Sequence, residues 1–198
     1  MPLWGATDSD ESKPKNLTTA QKKQVFANAS GWVLEAGSAL SGNDNTDADP
    51  EVLVAIGDLS TSIGAADITE VEMVTTTADK SEGFTISVRV RYNEPVDVVT
   101  TGGTPTLAVT NGNEGTGTGR GPHSLSYASG TGTNELIFSL AIAAANAATN
   151  ADDVLTVGAQ NIALNSGTIK DASGTASDAA VAISSAQGTA AGSVTVTA

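Results

Sequence analysis

Residues 84–92 read Phe-Thr-Ile-Ser-Val-Arg-Val-Arg-Tyr. Phe84, Ile86, Val88, Val90 and Tyr92 share one parity, and Thr85, Ser87, Arg89 and Arg91 share the other. Successive side chains of a strand point to opposite faces. The stretch therefore predicts a half-buried antiparallel strand with one apolar face and one solvated face. Shorter runs of the same kind follow at 106–110, 124–128, 135–142, 154–159, 161–165, 180–184 and 193–198, after a less regular one at 68–73. The connectors between them, such as TTGGTP and ASGTGTN, are rich in Gly, Thr and Asn. Seven or more short strands with such turns predict an all-β, Greek-key β-sandwich. Its inward set is expected to be Phe84, Ile86, Val88, Val90, Leu107, Val109, Leu125, Tyr127, Leu136, Phe138, Leu140, Leu155, Val157, Ile162, Leu164 and Ile169. Residues 143–153, although built of good helix formers, are expected to be a crossover loop.

Composition narrows the chemistry. The 198 residues carry 9 Lys plus Arg against 22 Asp plus Glu, a formal charge of −13. That balance argues against a phosphate-backbone binder, and no nucleic acid partner is expected. There is no Cys, and the single His excludes multi-histidine metal centres. No apolar run is long enough to span a bilayer, so no membrane partner is expected. The opening MPLWGATDSDESKPK has neither a basic n-region nor an apolar h-region and predicts no signal peptide.

The first third differs from the rest. Lys13, Lys15, Lys22 and Lys23 are four of the nine basic residues, and both tryptophans, Trp4 and Trp32, lie there. Residues 1–67 are read as an N-terminal arm and assembly segment with short helices, and 68–198 as the sandwich. Thr18 with Gln21 forms a capping-box pattern that opens a helix, Val25 and Phe26 supply its small apolar face, and Gly31 ends it. Pro50 suits a first helical position, and Val52, Leu53 and Ile56 have helical spacing, with a strand as the alternative for so short a run. Residues 1–35 hold too few apolar side chains for a core of their own, so the arm is expected to become ordered by docking. Its candidate partner-binding residues are Leu3, Trp4, Lys13, Lys15, Lys22, Lys23, Phe26 and Trp32. Trp32 has a second reading, packing with Phe26 and Val33 inside the arm.

Two resemblances add to this. Glu94-Pro95-Val96, Pro105-Thr106-Leu107, the hairpin Tyr127-Ala128-Ser129-Gly130-Thr131-Gly132-Thr133-Asn134, and Gly167-Thr168-Ile169-Lys170-Asp171 follow one another in the order of the bacterial Ig-like modules repeated in surface adhesins, which 68–184 resembles. The sequence departs from that pattern at Ser173-Gly174-Thr175 and in the insertion NGNEGTGTGRGP. The opening MPLWG, with SKPKNLT, QKKQVFA, GWV and the junction EVLVAIGDLS to ADITEV, resembles small virion structural proteins of tailed phages of marine cyanobacteria. That likeness implies a non-enzymatic virion protein, either a capsid decoration protein or a tail, neck or fibre component. The implied partners are a major capsid protein, other virion proteins or further copies of the chain. An Ig-like adhesin module binding a host glycan is a different class, disfavoured by loops nearly free of aromatics.

No catalytic constellation emerges. His123, in GRGPHSL, is read as a surface-loop residue with no triad partner at an identifiable spacing. The Gly-rich insertion lacks the Lys-Ser/Thr pair of a phosphate loop. Asp44, Asp47 and Asp49, and Asp152 with Asp153, are carboxylates of the type calcium takes, but neither group has EF-hand order. Solvated turns are the expected reading, with no cofactor and structural calcium as the minor alternative.

Overall fold

The computed structural model describes residues 14, 16–61, 63–112, 122–172 and 176–198. Among them the chain is mostly β. One helical turn, α1 (Thr19–Lys22), precedes a three-stranded antiparallel sheet of β1 (Val25–Asn28), β2 (Gly31–Leu34) and β3 (Glu51–Ala55), and a 3-10 turn follows at Leu59–Thr61. The remaining strands are β4 (Ile68–Met73), β5 (Ala78–Asp79), β6 (Phe84–Val99), β7 (Thr106–Gly112), β8 (His123–Ser129), β9 (Thr133–Ile142), β10 (Val154–Thr156), β11 (Gln160–Asn161), β12 (Thr168–Asp171), β13 (Ala182–Ile183) and β14 (Ser193–Thr197), with α2 (Ser185–Ala190) before the last.

Nine of these strands make one curled sheet in the order β12-β6-β9-β8-β7-β10-β14-β5, with β4 also paired to β6. All its pairs are antiparallel except β14 with β5. β6 is long enough for two partners on one edge: β4 along Val88–Tyr92 and β12 along Val96–Val99. The register with β9 shifts between Arg91 and Val96, at the bend. The curl is closed by hydrogen bonds. The Met73 amide donates to the Ala191 carbonyl (2.8 Å), Gln187 Nε2 donates to the Ile68 carbonyl (2.7 Å), and the Ala180 amide donates to the Ala66 carbonyl (2.8 Å).

The core inside the curl contains the expected inward residues. Ile86, Val88, Val90, Leu107, Val109, Leu125, Leu136, Phe138, Leu155, Val157, Ile162 and Ile169 are buried, and Phe84, Tyr127, Leu140 and Leu164 pack against them half-buried. The edge-to-face pair Tyr127–Phe138, at 6.1 Å between centroids, sits across the β8–β9 pair. Residues 143–153 are turns without a helix, as the loop reading expected.

The N-terminal reading is corrected. α1 has the expected capping box, Thr18 with Gln21, but is only one turn long. Val25 and Phe26 belong to a strand, not to a helix face, and Gly31 belongs to a hairpin. Asn28 pairs with Gly31 across the two-residue loop Ala29-Ser30, and the Ser30 amide donates to Asn28 Oδ1 at 2.8 Å. An Asn that bonds the backbone two residues on is a turn signal. Gly31 is required twice over: its φ is +132°, and a Cβ there would lie 2.0 Å from the Val54 carbonyl oxygen. Residues 51–55 are a strand, not a helix. The hairpin does pack into a small core, in which Leu59 and Ile63, from beyond residue 35, join Val25, Ala27, Trp32 and Leu34.

Candidate functional site

The outer face of β6 was expected to be solvated. Thr85 is exposed and Ser87 and Arg89 are half-buried, but Arg91 is buried. The cause is the N-terminal sheet, whose first strand packs on β6. Val25, Ala27, Trp32 and Leu34 face the small core; Phe26 and Val33, paired with each other, occupy the opposite face and are buried too.

Charged side chains of both segments gather at this junction. Glu70 and Glu72 on β4 are registered with Arg91 and Arg89 on β6, and Glu135 on β9 is registered with Arg91 from the other side. Opposite charges directly across a ladder attract. Arg91 Nη1 donates to Glu70 Oε2 at 3.0 Å, and its Nε donates to Glu135 Oε1. Its Nη2 lies 3.5 Å from Glu35 Oε2, just beyond β2. Arg89 bonds Glu72, and Lys23 Nζ reaches Glu70 Oε1 at 2.8 Å. Burial opposes the charge on Arg91, but Glu135, Glu35 and Glu70 outweigh it and hold its pKa above the usual value. For Glu35 burial dominates and lifts its pKa, against the pull of Arg91.

The expected partner-binding residues are thus redistributed. Lys23 is paired within the chain, and Phe26 and Trp32 are buried within it, Trp32 completely; none of these three is a free anchor. Lys22 is half-buried at the end of α1. Leu3, Trp4, Lys13 and Lys15 lie outside the described residues, as does most of the Gly-rich insertion, residues 113–121, and Ser173-Gly174-Thr175.

Beside the junction a cleft of about 510 Å³ opens between Phe26, Asn28, Glu35 and Pro50 on one side and Pro95, Thr133 and Asn134 on the other. Glu35 and Glu135 reach it, yet both carboxylates are held by Arg91. His123 is not a surface-loop residue: it is 7 % exposed, on β8, with Nε2 3.2 Å from Thr149 Oγ1. Among the described residues no three His, Asp or Glu side chains gather as for a metal ion. Asp44, Asp47 and Asp49 are exposed on a loop whose Asn43 and Asn45 side chains accept bonds from the amides two residues on.

What the N-terminal sheet leaves open is β3. Among the described residues it pairs only with β2, and no described strand lies along its other edge. Val52 and Leu53 are 48 % and 39 % exposed. Sequence reasoning missed this edge because the same residues also fit a helix. It missed the ion-pair ladder as well, although Glu70-x-Glu72 and Arg89-x-Arg91 have the matched parity that would have found it. No family model, curated protein or solved structure matches the chain.

Proposed function

We propose that the chain is a non-enzymatic structural protein of a virion, a capsid decoration protein that displays an Ig-like Greek-key sandwich and attaches through its N-terminal side. The observation that carries the attachment is β3: a strand edge with no partner among the described residues and with Val52 and Leu53 exposed, on a small sheet packed on the larger one. Such an edge adds a strand from a partner through main-chain bonds. The order β6-β9-β8-β7 supports the Greek-key reading, since three consecutive strands are followed in space by the one that precedes them in sequence. The acidic, Ala- and Thr-rich body and the resemblance of the opening segment to phage virion proteins support the setting. In this reading the partner is the major capsid protein, another virion protein or a second copy of the chain.

The experiment replaces Val52 and Leu53 together by Glu and Lys, checks the fold by circular dichroism, and measures incorporation into particles. A loss of at least about tenfold is expected, because the edge would carry two charges that block strand addition. Incorporation at the wild-type level places attachment elsewhere. Density for the chain on the tail instead of the shell overturns the capsid role.

A further inference from the structure

A polar cluster closes one end of the main core, apart from the junction. Three side chains grip three successive residues of the 143–153 loop. Asn111 Nδ2 donates to the Ala148 carbonyl (2.6 Å), His123 Nε2 meets Thr149 Oγ1 (3.2 Å), and Asp153 Oδ2 accepts from the Asn150 amide (2.7 Å). Asn111 is registered with Leu155, two residues beyond Asp153, so Asn111 and Asp153 stand diagonally on the same inward side of the β7–β10 pair. Asn111 is 2 % exposed, and Asp153 and Thr149 are fully buried. The Asn111 amide and the Asp153 carboxyl each have one buried oxygen, Oδ1, with no hydrogen-bond partner among the described residues.

Both of these atoms are acceptors, and one belongs to a carboxylate. A buried charge needs a counter-charge as well as hydrogen bonds. The nearby ammonium does not supply it: Lys80 Nζ is spent at 3.4 Å on Asn150 Oδ1 and makes no ion pair with Asp153. We infer that Asn111 Oδ1 and Asp153 Oδ1 are two protein ligands of a buried calcium-class cation site beneath the 143–153 loop. Calcium accepts mixed carboxylate, amide, carbonyl and water oxygens in a flexible geometry, whereas magnesium demands near-ideal octahedral coordination and keeps its waters. One carboxylate places the site at the weak end of calcium affinities, on the order of 10⁻⁴–10⁻³ M. This inference is independent of the virion reading.

The test uses the full chain, stripped with a chelator and titrated with calcium chloride, with magnesium chloride at equal ionic strength as control. At a tenfold excess over Kd, calcium is expected to raise Tm by about 3–6 °C and magnesium to do less. Asp153→Asn keeps an acceptor for the Asn150 amide and removes the buried carboxylate. It is expected to melt no lower than the wild type without metal and to lose the calcium shift. Asn111→Asp supplies a second carboxylate. Its metal-free Tm is expected to fall and its calcium affinity to rise about tenfold. A wild-type chain with no calcium-over-magnesium shift overturns the site and leaves a buried water as its occupant. A full shift retained in Asp153→Asn, or no gain in Asn111→Asp, also overturns it and moves the ion to the acidic surface.

Discussion

The curled sheet and the small N-terminal sheet bury their strands in different ways. In β6 the residues Ile86, Val88 and Val90 are buried and alternate with Ser87 and Arg89, which are not. In β2 all four residues are buried, and in β1 the first three are. A strand with one wet face writes a period of two into its sequence; a strand covered on both faces does not. The hairpin at 25–34 is covered on one face by Leu59 and Ile63 and on the other by the junction with β6. A second difference follows. The curled sheet is held by a large apolar core, whereas the ion pairs Glu35–Arg91 and Lys23–Glu70 cross from the N-terminal segment to it.

Three substitutions sharpen that contrast. Phe138→Ala removes a fully buried ring from the main core and its edge contact with Tyr127, and is expected to cost about 3–5 kcal/mol in urea unfolding of the whole chain. A cost below about 1 kcal/mol would mean that the curled sheet does not depend on this core. Arg91→Met tests the junction. It leaves Glu35, Glu70 and Glu135 facing one another without their shared cation, and about 2–4 kcal/mol is the expected loss at pH 7. Hydrogen exchange should rise first in β1 and β2, while the amides of β8 and β9 stay protected. Uniform loss of protection would show that the two sheets open as one unit.

Glu35→Gln has the smallest expected effect, and its sign is informative. Burial raises the Glu35 carboxyl above its ordinary value of 4.5, so the folded chain holds that proton more tightly than the unfolded chain. The contribution of Glu35 to stability is therefore fully present below 4.5 and falls as pH rises through the raised value. The Gln variant should match the wild type at pH 4 and equal or exceed it by less than about 1 kcal/mol at pH 7. A variant less stable at pH 7 would mean that attraction to Arg91 outweighs the burial of Glu35.

The two sheets were unequally legible. The parity of 84–92 and the β-branched runs after it located most strands of the curled sheet and its inward residues, because each strand there buries one face. The Asn-Ala-Ser-Gly turn at 28–31 was a usable signal for the first hairpin, yet it was read as a helix end because Val25, Phe26, Trp32 and Val33 carry no alternation. The polar cluster was less visible still. Asn111, Thr149 and Asp153 are distant in sequence, and each alone suits a surface turn.

Local pattern was enough for the all-β class, the capping box at Thr18, the inward set and the acidic character of the surface, since these depend on neighbours within a few residues or on composition. Tertiary structure alone decided that Arg91 is buried while Arg89, on the same strand face, is not, and that Trp32, Phe26 and Lys23 are used inside the chain. It also decided that β3 keeps one edge unpaired among the described residues and that Asn111 and Asp153 both bond the 143–153 loop. The physical reason is that alternation records which face of a strand is apolar. What covers a face, and whether two polar side chains from distant segments share one buried space, depends on the docking of the sheets and the curl of the larger one.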